Sequence, residues 1–346
     1  MATTVYVEVR PNVRACNFCI KTSSEVESSS AKIGASEIEV RLPTIIGTLR
    51  VELPTNIILL PGSMSGYSCS EDIISFRAQI ATYNSSALAD LGPSSYSPGV
   101  KKNEKVSLIC CICQEHLSGD LSFSRILPLP STEELNDFFC HRHSNEKISL
   151  DPCASDLFYN FFFFKMNIET LNITDGIHQF KCHRCSTIHG EINEKCVKLW
   201  NSTVRWSSEH NQECILERFL RSVKYFIKDL PIQMNKFVFT CSQGHHPTRY
   251  TLVWILDRSL VLLTGTHQSS CESVKMDSGN VMKVLYRHYT EINNEVNEWL
   301  DSFTTSVVPI PPRVEIDLLG YFKKMSERIP SDSNNVNGMN ISYLQI

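Results

Sequence analysis

Cys110-Cys111-Ile112-Cys113 and Cys182-His183-Arg184-Cys185 are the two stretches on which the reading of this chain turns. A C-x-x-C turn places two thiolates within reach of one ion. Two such turns complete a tetrahedral four-sulfur site, with zinc–sulfur distances of about 2.3 Å. Each pair follows a strand-like run, Val106 to Ile109 and His178 to Lys181, which is the setting of a zinc knuckle. The gap between the pairs is long, so one Zn2+ per chain would staple two distant hairpins. Four thiolates leave no open coordination position, which makes the expected zinc structural rather than catalytic. The alternative is two buried cysteine pairs without metal. Cys111, the odd member, is expected to point into the core.

The chain has fourteen cysteines, and in a reducing compartment paired C-x-x-C spacing points to metal before disulfides. Cys16-x-x-Cys19 is a third pair with no fourth to complete a second site, and it reads as ordinary strand cysteines. The eight-ligand ladder of a RING module cannot be assembled.

Composition narrows the function. A length of 346 residues suggests two or three structural units, and 42% hydrophobic with 20% charged residues is an ordinary globular balance. A formal charge of −4 without a basic stripe argues against broad nucleic-acid binding. Leu157 to Met166, with Phe161 to Phe164 in a row, is the most apolar run. It is far below the roughly 20 residues a membrane span needs. The first ten residues alternate like a strand and lack a signal-peptide core. The expectation is a soluble chain of the cytoplasm, or one shuttling to the nucleus, with no direct nucleic-acid or membrane partner.

The expected fold class is α+β in three parts. Residues 1–104 read as an N-terminal all-β domain, a sandwich or meander, from Val5 to Val9, Ser36 to Leu42, Gly47 to Leu53 and Ile73 to Ile80. Residues 105–207 read as a zinc-knuckle unit carrying a Cys-His segment. Residues 208–346 read as a C-terminal α/β domain. In it, Glu213 to Leu230 places Leu216, Phe219, Leu220, Val223, Phe226 and Ile227 at helical spacing. Strands are expected at Lys236 to Cys241, Tyr250 to Leu256, Leu260 to Thr264 and Val281 to Tyr286, with Asp257-Arg258-Ser259 as a turn. Helices are expected over Thr290 to Phe303 and Val314 to Arg328, the second introduced by prolines.

Phe138-Phe139-Cys140-His141-Arg142-His143 is the most unusual short stretch. Ser131-x-x-Glu134 forms a capping box before it, so a short helix anchored by its aromatics would end near Cys140. A helix C-terminus disfavours a thiolate, but a metal would compensate by deprotonating the thiol outright. Cys140 therefore suits a ligand offered to another protein's metal. The alternative is a partly buried cysteine beside surface histidines. Hydrolase, P-loop and dinucleotide fingerprints are absent, and no catalytic residue declares itself.

The order of C-x-x-C, Ser124-Arg125-Ile126-Leu127-Pro128-Leu129-Pro130-Ser131, Phe139-Cys140-His141, Asp156 to Phe164 and Lys181-Cys182-His183-Arg184-Cys185 with Gly190-Glu191 resembles the HECT-like ubiquitin-conjugating-enzyme-binding protein family. Members of that family are named ubiquitin-protein ligases. Val253-Trp254-Ile255-Leu256, Ser259-Leu260-Val261 and Lys283-Val284-Leu285-Tyr286 continue the likeness over nearly the whole chain. The resemblance implies two descriptions. One is a ligase that binds a ubiquitin-conjugating enzyme and accepts its ubiquitin. The other is a binder of the metallo-β-lactamase-fold endonuclease of pre-mRNA 3′-end cleavage and polyadenylation, a subunit of the cleavage and polyadenylation specificity factor.

In the second description the residues matching the Cys-His segment, Cys140 and His141, occlude the nuclease's zinc, supported by Phe138, Phe139, Arg142 and His143. Phe158 to Phe164 would help the docking. A HECT-type ligase needs an activated cysteine that carries ubiquitin as a thioester, and the Thr-Cys-Phe signature of the true HECT lobe does not occur here. The residues therefore favour an inhibitor or chaperone of the endonuclease. A ubiquitin-protein ligase is the alternative, and a zinc scaffold with an unrelated partner is the third reading.

Overall fold

The structure is a computed structural model that describes residues 3–22, 25–26, 29–42, 47–70, 72–84, 96–129, 151–171, 173, 178–210, 213–243, 246–267, 273–327, 329 and 334–345. It is mostly β, with three α-helices among the described residues. None of these helices is long and apolar enough to cross a membrane.

The first segment carries β1 (Thr3–Arg10), β2 (Ala15–Lys21), β3 (Ser30–Ile33), β4 (Glu37–Leu42), β5 (Gly47–Glu52), β6 (Ile57–Leu59), β7 (Ser65–Ser70) and β8 (Ile73–Tyr83). Period-2 alternation decides which faces pack. Val5, Val7 and Val9 of β1 and Phe18 and Ile20 of β2 point inward, against Ile38 and Val40 of β4 and Leu49 and Val51 of β5.

The middle segment carries β9 (Leu108–Cys110), β10 (Arg125–Pro128), β11 (Asp156–Tyr159), β12 (Phe163–Asn167), β13 (Gln179–Lys181), β14 (Ile188–Ile192), β15 (Cys196–Trp200) and β16 (Val204–Trp206). Its six-stranded sheet runs β10-β11-β12-β15-β14-β13, and β9 pairs with β16 beside it. Phe123, Phe164 and Trp206 form the aromatic centre of the core between them.

The last segment carries α1 (Ile215–Asp229), β17 (Lys236–Gln243), β18 (His246–His267), β19 (Ser273–Lys275), β20 (Asp277–Tyr289), α2 (Asn294–Leu300), β21 (Thr305–Pro309), α3 (Pro312–Ser326), β22 (Asn335–Val336) and β23 (Met339–Gln345). Helix α1 starts at an unusual capping box: the Cys214 sulfur accepts from the Glu217 N–H, and the Glu217 carboxylate accepts from the Cys214 N–H. Its apolar stripe, Phe219, Val223 and Ile227, packs with α3 on β17 and β18.

Two expectations need correction. Asp257-Arg258-Ser259 is no turn: β18 is one strand of 22 residues that bulges at Asp257 and continues. These polar residues serve a branch point, because the first half of β18 pairs with β17 and the second half with β1. Asp257 takes an ion pair from Arg10, and Arg258 donates to the carbonyls of Ile227, Leu230, Pro231 and Met234, closing the C-terminal end of α1.

The aromatic run Phe158 to Phe164 is not a free docking surface. Phe162 and Phe164 are buried in two different cores, and Phe161 and Phe162 pack on Phe226 of α1. The run ties the middle sheet to the helix.

The pairing also joins the two ends of the chain. One eleven-stranded sheet holds β1, β2 and β8 from the first segment and β17, β18, β20 and β23 from the last. Strand β19 completes the smaller sheet by lying parallel to β5.

Candidate metal centre

The four cysteines of the two C-x-x-C pairs meet. Their sulfurs all lie within 4.8 Å of one another. Cys110 Sγ is 3.6 Å from Cys185 Sγ, and Cys113 Sγ is 3.5 Å from Cys182 Sγ. A tetrahedron with metal–sulfur arms of about 2.3 Å has edges of about 3.8 Å, so the donor set fits a single tetrahedral ion. No other cluster of three or more metal-ligating side chains occurs among the described residues.

The local chain explains the fit. After β9, the Gln114 N–H returns to the Cys110 carbonyl (3.0 Å) and the Cys110 N–H reaches the Glu115 carbonyl (2.9 Å). After β13, the Ser186 N–H returns to the Cys182 carbonyl and the Cys182 N–H reaches the Thr187 carbonyl, both at 2.9 Å. Gln114 and Ser186, each one residue past the second cysteine, sit in the left-handed region at φ 61° and 58°. The two turns are therefore built alike. Glu115 of the first faces His183 and Arg184 of the second, each at 3.5 Å, and the contact with Arg184 is an ion pair across the gap.

The electrostatics call for a cation. Burial pushes the Cys110 thiol up. Burial works the same way on Cys185, yet the Thr187 hydroxyl and N–H, with the neighbouring thiols, bring it down to about 6. Four sulfurs this close cannot all ionise without a positive centre between them. A bound metal ion would supply that charge, and with four protein ligands it would act as a clamp.

The remaining sequence candidates fall elsewhere. Cys111 turns away and packs beside the α1 core, where burial pushes its thiol up to about 11. Cys16 and Cys19 lie on opposite faces of β2 and cannot share an ion: Cys16 is in the sandwich core, and burial pushes both thiols up to about 12. Cys140, His141, Phe138, Phe139, Arg142 and His143 lie outside the described residues, as does the capping-box helix around Ser131. Sequence reading missed the two left-handed positions and the Glu115 contacts. Gln and Ser carry no signal for positive φ of the kind Gly or Asn would give.

Comparison with known proteins gives a family match. Residues 8–341 match a family described as HECT-like ubiquitin-conjugating enzyme (E2)-binding. Proteins named as E3 ubiquitin-protein ligases are similar along their whole length. Those of Pongo abelii and Homo sapiens are each 22% identical, and that of Mus musculus is 23% identical. Each alignment covers 99% of this chain and 98% of the relative. No solved structure gives a significant match.

Proposed function

The chain belongs to the HECT-like ubiquitin-conjugating enzyme (E2)-binding family, and on that premise we propose that it binds a ubiquitin-conjugating enzyme and acts as a ubiquitin-protein ligase. The carrying observation is the extent of the match, residues 8–341, which takes in both the large sheet and the cysteine cluster. In this reading Cys110, Cys113, Cys182 and Cys185 hold one structural zinc, since a closed set of four thiolates suits zinc and leaves no site for substrate. The zinc clamps the middle sheet, and the catalytic thiol for ubiquitin transfer belongs to the bound conjugating enzyme.

A relay through a cysteine of this chain would need an accessible thiol. Among the described residues only Cys69, Cys153 and Cys214 are exposed. The test is to mix the full chain with a panel of conjugating enzymes charged with ubiquitin and follow discharge on non-reducing gels. Faster discharge from at least one enzyme is expected, with no reductant-sensitive adduct on this chain. Absence of binding and of discharge across the panel would remove the reading. An adduct abolished by replacing one cysteine would convert it to a relay.

The endonuclease reading rests on Cys140 and His141, which lie outside the described residues. No relative's name mentions a nuclease. No observation favours it over the ubiquitin reading.

A further inference from the structure

A second surface stands apart from the cysteine cluster, where the 3-10 turn Pro11–Val13 meets the β6, β7 and β8 edge of the large sheet. A cavity of about 540 Å³ opens there, lined among others by Val13, Arg14, Leu60, Ser65, Arg77 and Gln79. At its rim Val13 is 51% exposed and Leu60 46%. These two exposed aliphatic side chains give the cavity an apolar foothold beside its polar lining.

The charge at this patch is one-sided. Arg14 and Arg77 line the cavity, no carboxylate lines it, and neither guanidinium has a partner among the described residues. The chain as a whole carries −4, so this pair runs against the overall sign.

Arg14 is also held in place at a cost. It sits in the left-handed region (φ 46°, ψ 50°), where glycine or asparagine is at home. Its N–H is bonded to the Pro11 carbonyl (3.1 Å), and its carbonyl accepts from the Ile80 N–H (2.9 Å). Arg77 is fixed from both sides, opposite Asn17 of β2 and Ser65 of β7. The backbone under both cations is thus held by hydrogen bonds before anything binds, which lowers the backbone's share of the ordering cost of binding.

We propose that this surface docks an acidic peptide segment of a partner protein, with carboxylates on Arg14 and Arg77 and an aliphatic side chain between Val13 and Leu60. The site is independent of the ubiquitin reading and of the metal cluster.

The experiment uses the full chain and a short fluorescein-labelled peptide alternating Glu and Leu, read by fluorescence anisotropy. Counterparts alternating Lys with Leu and Glu with Ser serve as controls. Arg14→Gly is the decisive variant, because glycine relieves the left-handed strain and should raise the melting temperature while removing one cation. Arg14→Gly combined with Arg77→Ala is expected to weaken the Glu-Leu peptide roughly tenfold, from two exposed charge contacts. Leu60→Ser should weaken it as well, and binding should fall as salt rises. Equal binding of the Lys-Leu peptide, no binding of the Glu-Leu peptide, or unchanged affinity in the folded double variant would overturn the proposal. So would equal binding of the Glu-Ser peptide, which would reduce the site to a bare anion patch.

Discussion

Replacing Cys182 by serine should release the metal and loosen a defined part of the molecule. Cys113 and Cys182 are 69 positions apart. A crosslink across a loop of that length removes roughly 4 kcal/mol of unfolded-chain entropy, and a structural ion acts as such a crosslink. A serine hydroxyl is a poor zinc ligand at neutral pH, so the variant should lose both the ion and that contribution. The effect should concentrate where the ion holds the chain, in the β9 turn and the β13–β14 hairpin, since β13 is the last strand of its sheet.

Two measurements are needed on the purified full chain. Elemental analysis should find about one zinc per wild-type chain and almost none in Cys182→Ser. Hydrogen exchange should accelerate over residues 108–117 and 178–192 and stay slow in β1 and β18. Cys19→Ser serves as control, since Cys19 lies on a different strand and outside the cluster, and it should keep its zinc. Wild-type protein that folds without metal, with the same exchange before and after a strong chelator, would refute the argument.

Three further outcomes are expected. His189 is fully buried, neither ring nitrogen has a hydrogen-bond partner among the described residues, and burial pushes its pKa down to about 4. The unfolded chain takes up that proton near pH 6.5, so the contribution of His189 is complete above pH 6.5 and is lost as pH falls toward 4, by roughly 3 kcal/mol in all. Urea unfolding of His189→Leu should lose less stability than wild type between pH 7 and 5, and equal slopes would count against this. Gly190 approaches β15 so closely that an added Cβ would lie 2.1 Å from the Lys198 carbonyl oxygen and 2.9 Å from Leu199 Cδ2. Gly190→Ala should therefore cost about 2 kcal/mol in urea titration, and an alanine variant as stable as wild type would show that β14 can shift. Glu315 is buried and takes both Nε and a terminal nitrogen of Arg249. Glu315→Ala should cost about 1–3 kcal/mol by removing the partner of a half-buried arginine, while Arg249→Leu with Glu315→Leu should cost less; a double variant as damaged as the single would contradict this.

What could be read from the residues was whatever local periodicity or spacing encodes. The C-x-x-C pairs foretold the four-sulfur cluster, and the 3–4 spacing from Leu216 to Ile227 placed α1 to within two residues at its start. Alternation at Val5, Val7 and Val9 gave β1 and its buried face. The errors share a cause. Asp257-Arg258-Ser259 carries turn chemistry, but whether such residues reverse a strand or bulge it depends on what lies alongside, here Arg10 and the end of α1. Phe158 to Phe164 reads as exposed apolar surface only if α1 is left out of account. Strands β21 and β23 went unseen because their pairings with β17 and β20 are not local.

The joining of the chain's two ends has a chemical signature. Glu8 of β1 receives Lys283 Nζ from β20 at 2.7 Å, together with the Tyr343 hydroxyl from β23 and the Asn17 amide from β2. Burial alone would raise this carboxyl, but Lys283 and the two hydrogen bonds hold it below the usual range. A carboxylate buried to this degree is tolerable only with every partner present. Two of those partners come from the last segment of the chain and one from the first, so neither segment can satisfy Glu8 alone. A fragment ending after β8 would strip Glu8 of its Lys283 and Tyr343 partners and leave an uncovered flank on β1, where β18 belongs. Fragments 1–104 and 208–346, expressed apart, should each fail to give cooperative unfolding, and should recover it only when mixed. If 1–104 alone unfolded cooperatively with Glu8 solvated, the single continuous sheet would not be the folding unit, and binding assays on half-chains would become meaningful.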